Sequence, residues 1–317
     1  MSNNILVSVC MITYNHEKFI AEAIEGVLMQ KTDFPIELII GEDCSTDRTR
    51  EICIAYQQQY PGIIKLQLPE TNKGMTRNFI ENMQAAQGKY IALCEGDDYW
   101  TDPQKLQKQV DFLEANPGYN LCCHRYKIYN EANKTWTNDY VYKLFQKNQE
   151  GISFDNSLNL YIWFTKTMTM LFKHKAIDFE ILNRYTYMRD VHLCYHLLKG
   201  SKGYCMNFNA AVYRRHGGGV FSAINSISQR RLNYLIKTEL YKYNKEDIDL
   251  RKNLSLVREN YFDLIRIQVM GREFSTVLFR DIKVFLGNEF HNQGAKKILY
   301  YLRKMILSFF KSFKKKK

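Results

Sequence analysis

The chain has 317 residues, 45% hydrophobic and 14% aromatic, a length that predicts one main domain with an appendage. Its formal charge of +12 does not describe a nucleic-acid binder. Residues 295–317 carry nine Lys or Arg and no acid, leaving +3 for everything else, and no aromatic-basic reading surface is visible.

No apolar run is long enough for a membrane-crossing helix. Met1 to Asn4 leads straight into a strand-like run without the basic-then-apolar layout of a signal peptide, so the expected location is the cytoplasm. The eight cysteines (10, 44, 53, 94, 122, 123, 194 and 205) show neither a C-x-x-C pair nor a zinc-ligand spacing. Most lie inside apolar runs, as core residues of a protein in a reducing compartment do.

In chain order, residues 6–14 are apolar and β-branched and predict a buried strand, ended by a turn at Tyr14-Asn15-His16. Phe19, Ala23, Ile24, Val27 and Leu28 follow at helical spacing. A second strand at 36–43 finishes in Glu42 and Asp43, and Ser45 or Asp47 caps the helix running on to about Tyr60. Residues 63–68 are a third strand, Asn72-Lys73-Gly74 a turn, and 75–86 a helix with Arg77 near its start.

The fourth strand, 89–94, runs into Glu95, Asp97 and Asp98. Three carboxylates at one strand end raise one another's cost, and a divalent cation among them would remove it. Mg²⁺ or Mn²⁺ suits such oxygen ligands and keeps positions open for phosphate oxygens. Asp97 and Asp98 are therefore candidate metal ligands, with Glu95 helping directly or through water; solvated acids at a helix start are the competing view. Asp102 caps the next helix, with Pro103 at its first position.

Beyond Tyr119 the pattern is mixed. Strands are expected at 121–129 and 167–172, a short helix at 189–198, and successive helices from 223, broken near Gly271, Gly287 and Gly294. The strand–helix rhythm predicts a doubly wound α/β fold with a mostly parallel sheet and a C-terminal helical extension.

Other residues suit a nucleotide. Glu42 or Asp43 can accept the imide N–H of uracil and Tyr14 can stack on the ring, although acids at a strand end also cap helices. Lys73 and Arg77, near a helix start that itself favours anions, suit a diphosphate; an exposed basic turn is the alternative. Asp190 taken alone is a carboxylate at a helix N-terminus. His216, between Arg214-Arg215 and three glycines, suits a phosphate cover or a plain surface loop.

Together these stretches resemble the inverting family-2 glycosyltransferases of the GT-A fold. The similarity is carried by Val7-Ser-Val-Cys-Met-Ile-Thr-Tyr-Asn15, Gly41-Glu-Asp-Cys-Ser-Thr-Asp-Arg-Thr49, Asn72-Lys-Gly with Arg77-Asn78, Glu95-Gly-Asp-Asp-Tyr-Trp100, and the continuation from Asp102 to Val110. It runs from about residue 5 to 222.

The resemblance implies a catalytic domain at 1–222, with a nucleotide-binding half (1–102) and an acceptor half (103–222), followed by an extension at 223–317. It implies Asp190 as catalytic base, and a donor-nucleotide set of Thr13, Tyr14, Asn15, Glu42, Asp43, Ser45, Lys73, Arg77, Glu95, Gly96 and Asp97. The implied metal set is Asp97, Asp98 and His216, holding Mn²⁺ or Mg²⁺. Glu95 stands where the family more often has Asp, and Arg189 where Gly often precedes the base.

The implied reaction moves a sugar, with inversion, from a UDP-linked donor to a hydroxyl of a glycan or lipid-linked glycan, as in cell-surface polysaccharide synthesis. A sugar nucleotidyltransferase of similar fold and a non-catalytic membrane-associated scaffold are the alternatives. In 295–317, Ile298, Leu299, Leu302, Met305, Ile306, Phe309, Phe310 and Phe313 recur at near-helical spacing among basic residues. Such a helix can lie on an anionic membrane surface or pack on the protein. The first option predicts a peripheral protein on the inner face of the plasma membrane.

Overall fold

A computed structural model of the chain describes residues 4–219, 226–271, 282–283, 285–286 and 299–307. The contacts separate into two units, residues 1–223 and residues 224–317.

The first unit opens with β1 (Val7–Thr13), α1 (Ile20–Leu28), β2 (Ile36–Glu42), α2 (Thr49–Gln59), β3 (Ile64–Gln67), α3 (Met75–Gln84) and β4 (Tyr90–Leu93). β1 is apolar at nearly every position because it pairs in parallel on both sides, with β2 and with β4. α1 buries Ile20, Ala23, Ile24 and Val27, the stripe expected from their three- and four-residue spacing. β3 extends the parallel set beyond β2.

The second half adds β5 (Tyr99–Trp100), α4 (Lys105–Ala115), β6 (Tyr119–Asn130), β7 (Thr135–Asn138), β8 (Gly151–Phe154), α5 (Asn156–Tyr161), β9 (Leu171–Lys173), α6 (Phe179–Leu182), α7 (Asp190–Leu198) and β10 (Lys202–Arg215). The sheet order among the described residues is β3-β2-β1-β4-β9-β6-β10-β5, with β7 on β6 and β8 on β10. β9 runs antiparallel to both β4 and β6, whereas β6 and β10 are parallel. The fold is thus α/β with a mostly parallel central sheet.

Two local expectations are corrected. The helix after Asp102 starts at Lys105, not at Pro103, because Asp102 Oδ1 accepts the Gln104 N–H at 2.8 Å and holds 102–104 as a turn. The strand expected at 167–172 shrinks to β9, preceded by a 3₁₀ turn at Thr167–Thr169. Side chains take the carbonyls a ladder would need. Trp100 Nε1 donates to Met168 O at 2.8 Å, and Gln109 Nε2 to Thr169 O at 3.0 Å. All eight cysteines are free thiols, and all but Cys44 are buried.

Described by itself, the second unit contains α8 (Ser226–Tyr243) and α9 (Ile248–Gly271). Its core gathers Tyr234, Leu254, Tyr261, Phe262, Ile265, Phe285, Tyr301 and Met305. Of the basic segment only 299–307 is described, and it is helical. Tyr301 and Met305 are buried there, while Leu299, Ile306 and Leu307 are exposed. Phe309, Phe310, Phe313 and the final lysines lie outside the described residues, as do Ile298, Gly287 and Gly294. No helix among the described residues is long and apolar enough to cross a membrane.

Trp100 is 2% exposed, and its indole also lies 3.9 Å from the buried Lys105 ammonium. Trp100→Phe orphans the Met168 carbonyl and also leaves a small cavity where the larger ring of the indole stood. The expected cost is about 1–3 kcal/mol of unfolding free energy in urea titrations. A change below about 0.5 kcal/mol, the level of an ordinary surface substitution, would show that the bond does not anchor the turn.

Candidate active site

Because β1 and β4 pair in parallel, the loops leaving their C-terminal ends are neighbours. Gly96 locks them together: its N–H donates to Ile12 O at 3.0 Å. A Cβ at Gly96 would stand 2.6 Å from Thr13 Oγ1 and 2.9 Å from Ile20 Cδ1, so only glycine allows this approach. The acidic turn is thereby set against Tyr14-Asn15-His16.

Three side chains converge there. His216 Nε2 lies 3.0 Å and His16 Nε2 3.8 Å from Asp97 Oδ2. The ligand atoms of His16, Asp97 and His216 all fall within 4.8 Å of one another, a spacing that fits a single cation. Thr13 Oγ1 engages His16 Nδ1 at 3.2 Å and leaves Nε2 for the cluster, the way an outer-shell partner orients a ligand. The Phe19 ring covers His216 at 4.7 Å between centroids.

Burial works against ionisation of Asp97. The hydrogen bond from His216 and the nearby imidazoles outweigh it and hold the carboxyl below its ordinary range. Burial likewise lowers His16, with Asp97 opposing. Both shifts favour the forms that bind a metal: carboxylate and neutral imidazole.

Asp98 does not join this group, which corrects its assignment as a metal ligand. It is buried, and its Oδ1 accepts the Arg214 N–H at 2.8 Å. Burial first, then Asp97 and Glu95, push its carboxyl well above the usual value, toward the neutral form. Arg214, expected with His216 to suit a phosphate cover, is instead engaged within the protein. Its Nε donates to Asp97 O at 3.0 Å, and its other nitrogens reach Glu131 at 2.9 Å and Glu22 at 2.5 Å. Its guanidinium lies 4.8 Å from the Phe19 ring and 4.7 Å from that of Tyr99. His16 was missed, although its place just past the end of β1, on the rim that holds the acids, was a usable signal.

Glu95 sits deeper. Burial, with smaller contributions from Asp97 and Asp190, pushes its carboxyl up to about 7 against a hydrogen bond from Thr167. Its Oε2 is a buried oxygen without a hydrogen-bond partner. Glu95, Asp97 and Asp190 therefore share one electrostatic neighbourhood, although Asp190 comes from the far end of the domain. Asp190 opens α7, where its Oδ1 accepts the Val191 N–H at 2.9 Å.

The proposed nucleotide side is more divided. Tyr14 is 42% exposed on the rim. Asn15, with φ 56°, bonds Thr46 N–H through Oδ1 at 2.8 Å, and its own N–H reaches Ser45 Oγ at 3.0 Å. Asp43 is buried and accepts the N–H groups of Lys73 (2.7 Å) and Gly74 (2.9 Å), shaping the turn before α3. Glu42 is a correction: it is fully buried, ion-paired with Arg50 and bonded to Ser45 N–H at 2.6 Å, so it faces no nucleotide. Lys73 and Arg77 both pair with Glu81, Arg77 at 2.7 Å, so neither is aimed at the Asp97 cluster. Capping of α2 falls to Asp47 and not Ser45, since Asp47 Oδ1 accepts Thr49 N–H at 2.9 Å.

With this geometry in hand, comparison with known proteins is informative. The sequence pattern described as glycosyl transferase family 2 matches residues 8–186. The uncharacterized protein Rv1520 of Mycobacterium tuberculosis is 46% identical over 125 residues, 39% of this chain and 36% of that protein. The match thus spans little more than a third of that relative's length. Among solved structures, S. aureus TarS 1-349 in complex with UDP-GlcNAc superposes with a TM-score of 0.67 at 17% identity, over 96% of this chain and 89% of that one. The mannosyltransferase PcManGT of Pyrobaculum calidifontis, in complex with GDP-Man and Mn²⁺, gives 0.53 at 13% identity, over 96% and 86%. These two likenesses establish the GT-A fold, and the match across more than half the chain establishes the lineage: this protein belongs to glycosyl transferase family 2.

Proposed function

We propose that this protein is a metal-dependent inverting glycosyltransferase. It moves a sugar from a UDP-linked donor to a hydroxyl of a glycan or lipid-linked glycan in cell-surface polysaccharide synthesis. The observation that carries the reading is the His16–Asp97–His216 group, whose three ligand atoms lie within 4.8 Å of one another where the ends of β1, β4 and β10 meet. Asp190 and Glu95 act on each other electrostatically, and Glu95 adjoins the His16–Asp97–His216 cluster. Support for the donor class comes from the UDP-GlcNAc and GDP-Man held by the two neighbours of like fold.

His16, Asp97 and His216 would hold the cation, and the orphaned Glu95 Oε2 offers a further oxygen. Mixed nitrogen and oxygen donors suit Mn²⁺ better than Mg²⁺. When bound, the cation supplies charge stabilisation for the departing nucleoside diphosphate. Tyr14 stacks on the base from the exposed rim, and Asp43 shapes the turn beside it. Asp190 accepts the proton of the acceptor hydroxyl as its oxygen attacks the anomeric carbon. The bond to the diphosphate breaks on the opposite face, so the configuration inverts. Peripheral attachment to an anionic membrane through 295–317 belongs to the same reading, supported by the exposed Leu299, Ile306 and Leu307.

Three outcomes are expected. Asp97→Asn lowers Mn²⁺ affinity, measured by calorimetry, by more than about tenfold; unchanged affinity would remove the metal site. Burial keeps His16 neutral above pH 6.5, so its contribution to Mn²⁺ affinity is full there and is lost as pH drops below it; His16→Ala makes the acid-side fall shallower. Asp190→Asn binds donor within about twofold of wild type but loses about 100-fold or more in transfer rate. If a panel of UDP- and GDP-sugars with Mn²⁺ shows neither binding nor hydrolysis, the enzyme reading is wrong.

A further inference from the structure

Resting on the glycosyl-transfer reading, a feature next to Asp190 bears on which sugars the site accepts. Arg189 is the residue just before α7, in extended conformation, and it is half-buried. Its main chain is pinned: the N–H donates to His192 Nδ1 at 3.0 Å. The side chain reaches back to the first residue of α3, where Nη1 lies 2.9 Å from Met75 Sδ, a weak acceptor for a cation.

Among the described residues, Arg189 makes no ion pair. This sets it apart from the other arginines near the rim, since Arg50 pairs with Glu42, Arg77 with Glu81, and Arg214 with Glu22 and Glu131. Burial lowers its affinity for the proton, with Asp190 opposing. Asp190 is not its hydrogen-bond partner, because that carboxylate bonds the helix through Val191 N–H. A guanidinium stays charged whatever its surroundings, and this one is half-buried, with no side-chain partner among the described residues but a thioether, so its remaining donors stay open to an arriving anion.

We propose that Arg189 is a specificity-determining residue that binds a carboxylate or phosphate carried by one of the two sugars reacting beside Asp190. Its guanidinium presents a planar fork of donors, which carboxylates and phosphates match in two parallel hydrogen bonds. The diphosphate of the donor is a different anion, served by the His16–Asp97–His216 cluster. The neutral counterpart of the true substrate would cover Arg189 without matching its donors. Discrimination against it should therefore be large.

The test uses the full chain with Mn²⁺, as wild type, Arg189→Gln and Arg189→Lys. The donor arm measures affinity for UDP, UDP-glucose and UDP-glucuronate without acceptor. The acceptor arm measures transfer to p-nitrophenyl glucoside, its 6-phosphate and p-nitrophenyl glucuronide. The expected result is a 10- to 100-fold preference for the charged member in one arm, which R189Q abolishes and R189K partly keeps. A preference in the donor arm places the anion on the transferred sugar, and one in the acceptor arm places it on the acceptor.

Three results overturn the proposal while leaving the enzyme reading intact. R189Q weakening UDP itself would make Arg189 a diphosphate ligand. An equal loss for charged and neutral substrates would make it a support for Asp190, and no change in either arm would remove it from recognition. Failure of wild type to bind UDP, GDP or any of their sugars overturns both readings together.

Discussion

Arg214 is the tie on which the site hangs. Its backbone N–H holds Asp98, its Nε holds the carbonyl of Asp97, and its remaining nitrogens reach Glu22 on α1 and Glu131 just past β6. One side chain thus joins the end of β10 to the acidic turn after β4 and to the first helix. The aromatic faces of Phe19 and Tyr99 enclose it. A buried guanidinium with a partner at each of its three nitrogens, two of them carboxylates, meets the condition under which a buried charge is tolerated. The same strand end then delivers His216 to Asp97.

The electrostatics of the turn follow from this anchoring. Three carboxyls within four residues cannot all ionise cheaply away from water. The fold separates them: Asp97 faces imidazoles and is held in the carboxylate form, whereas Asp98 and Glu95 are pushed toward the neutral form by burial and by the charge of Asp97. A cation arriving at Asp97 would change that balance. Arg189, the residue before Asp190, is a half-buried positive charge that makes no ion pair among the described residues.

Much of this was legible in residue order. Alternating strand and helix signals located the first four strands, because strands buried on both faces are apolar throughout and short loops leave little freedom in between. Acids placed directly after strands marked the sheet edge where Asp97 meets His16 and His216, since a chain rarely collects carboxylates at the rim of a core. Glu42 shows the limit of that argument. It obeys the same rule as Asp97, yet Arg50, the second residue of α2, captures it inside the domain. Thr167–Thr169 is another such case: apolar and β-branched residues read as strand, but Trp100 and Gln109 take their carbonyls.

The amino-acid order by itself determined the α/β class, the family and the acidic turn, because periodicity and short-range spacing are local properties of a chain. Only the tertiary structure decided which acid meets which partner. His16 lies 81 residues before Asp97, and His216 and Arg214 more than 110 after it. Their convergence depends on β1 pairing with β4 and on β10 returning antiparallel to β5. Strand adjacency of that kind is set by how the whole sheet packs, and no segment of the chain carries it alone.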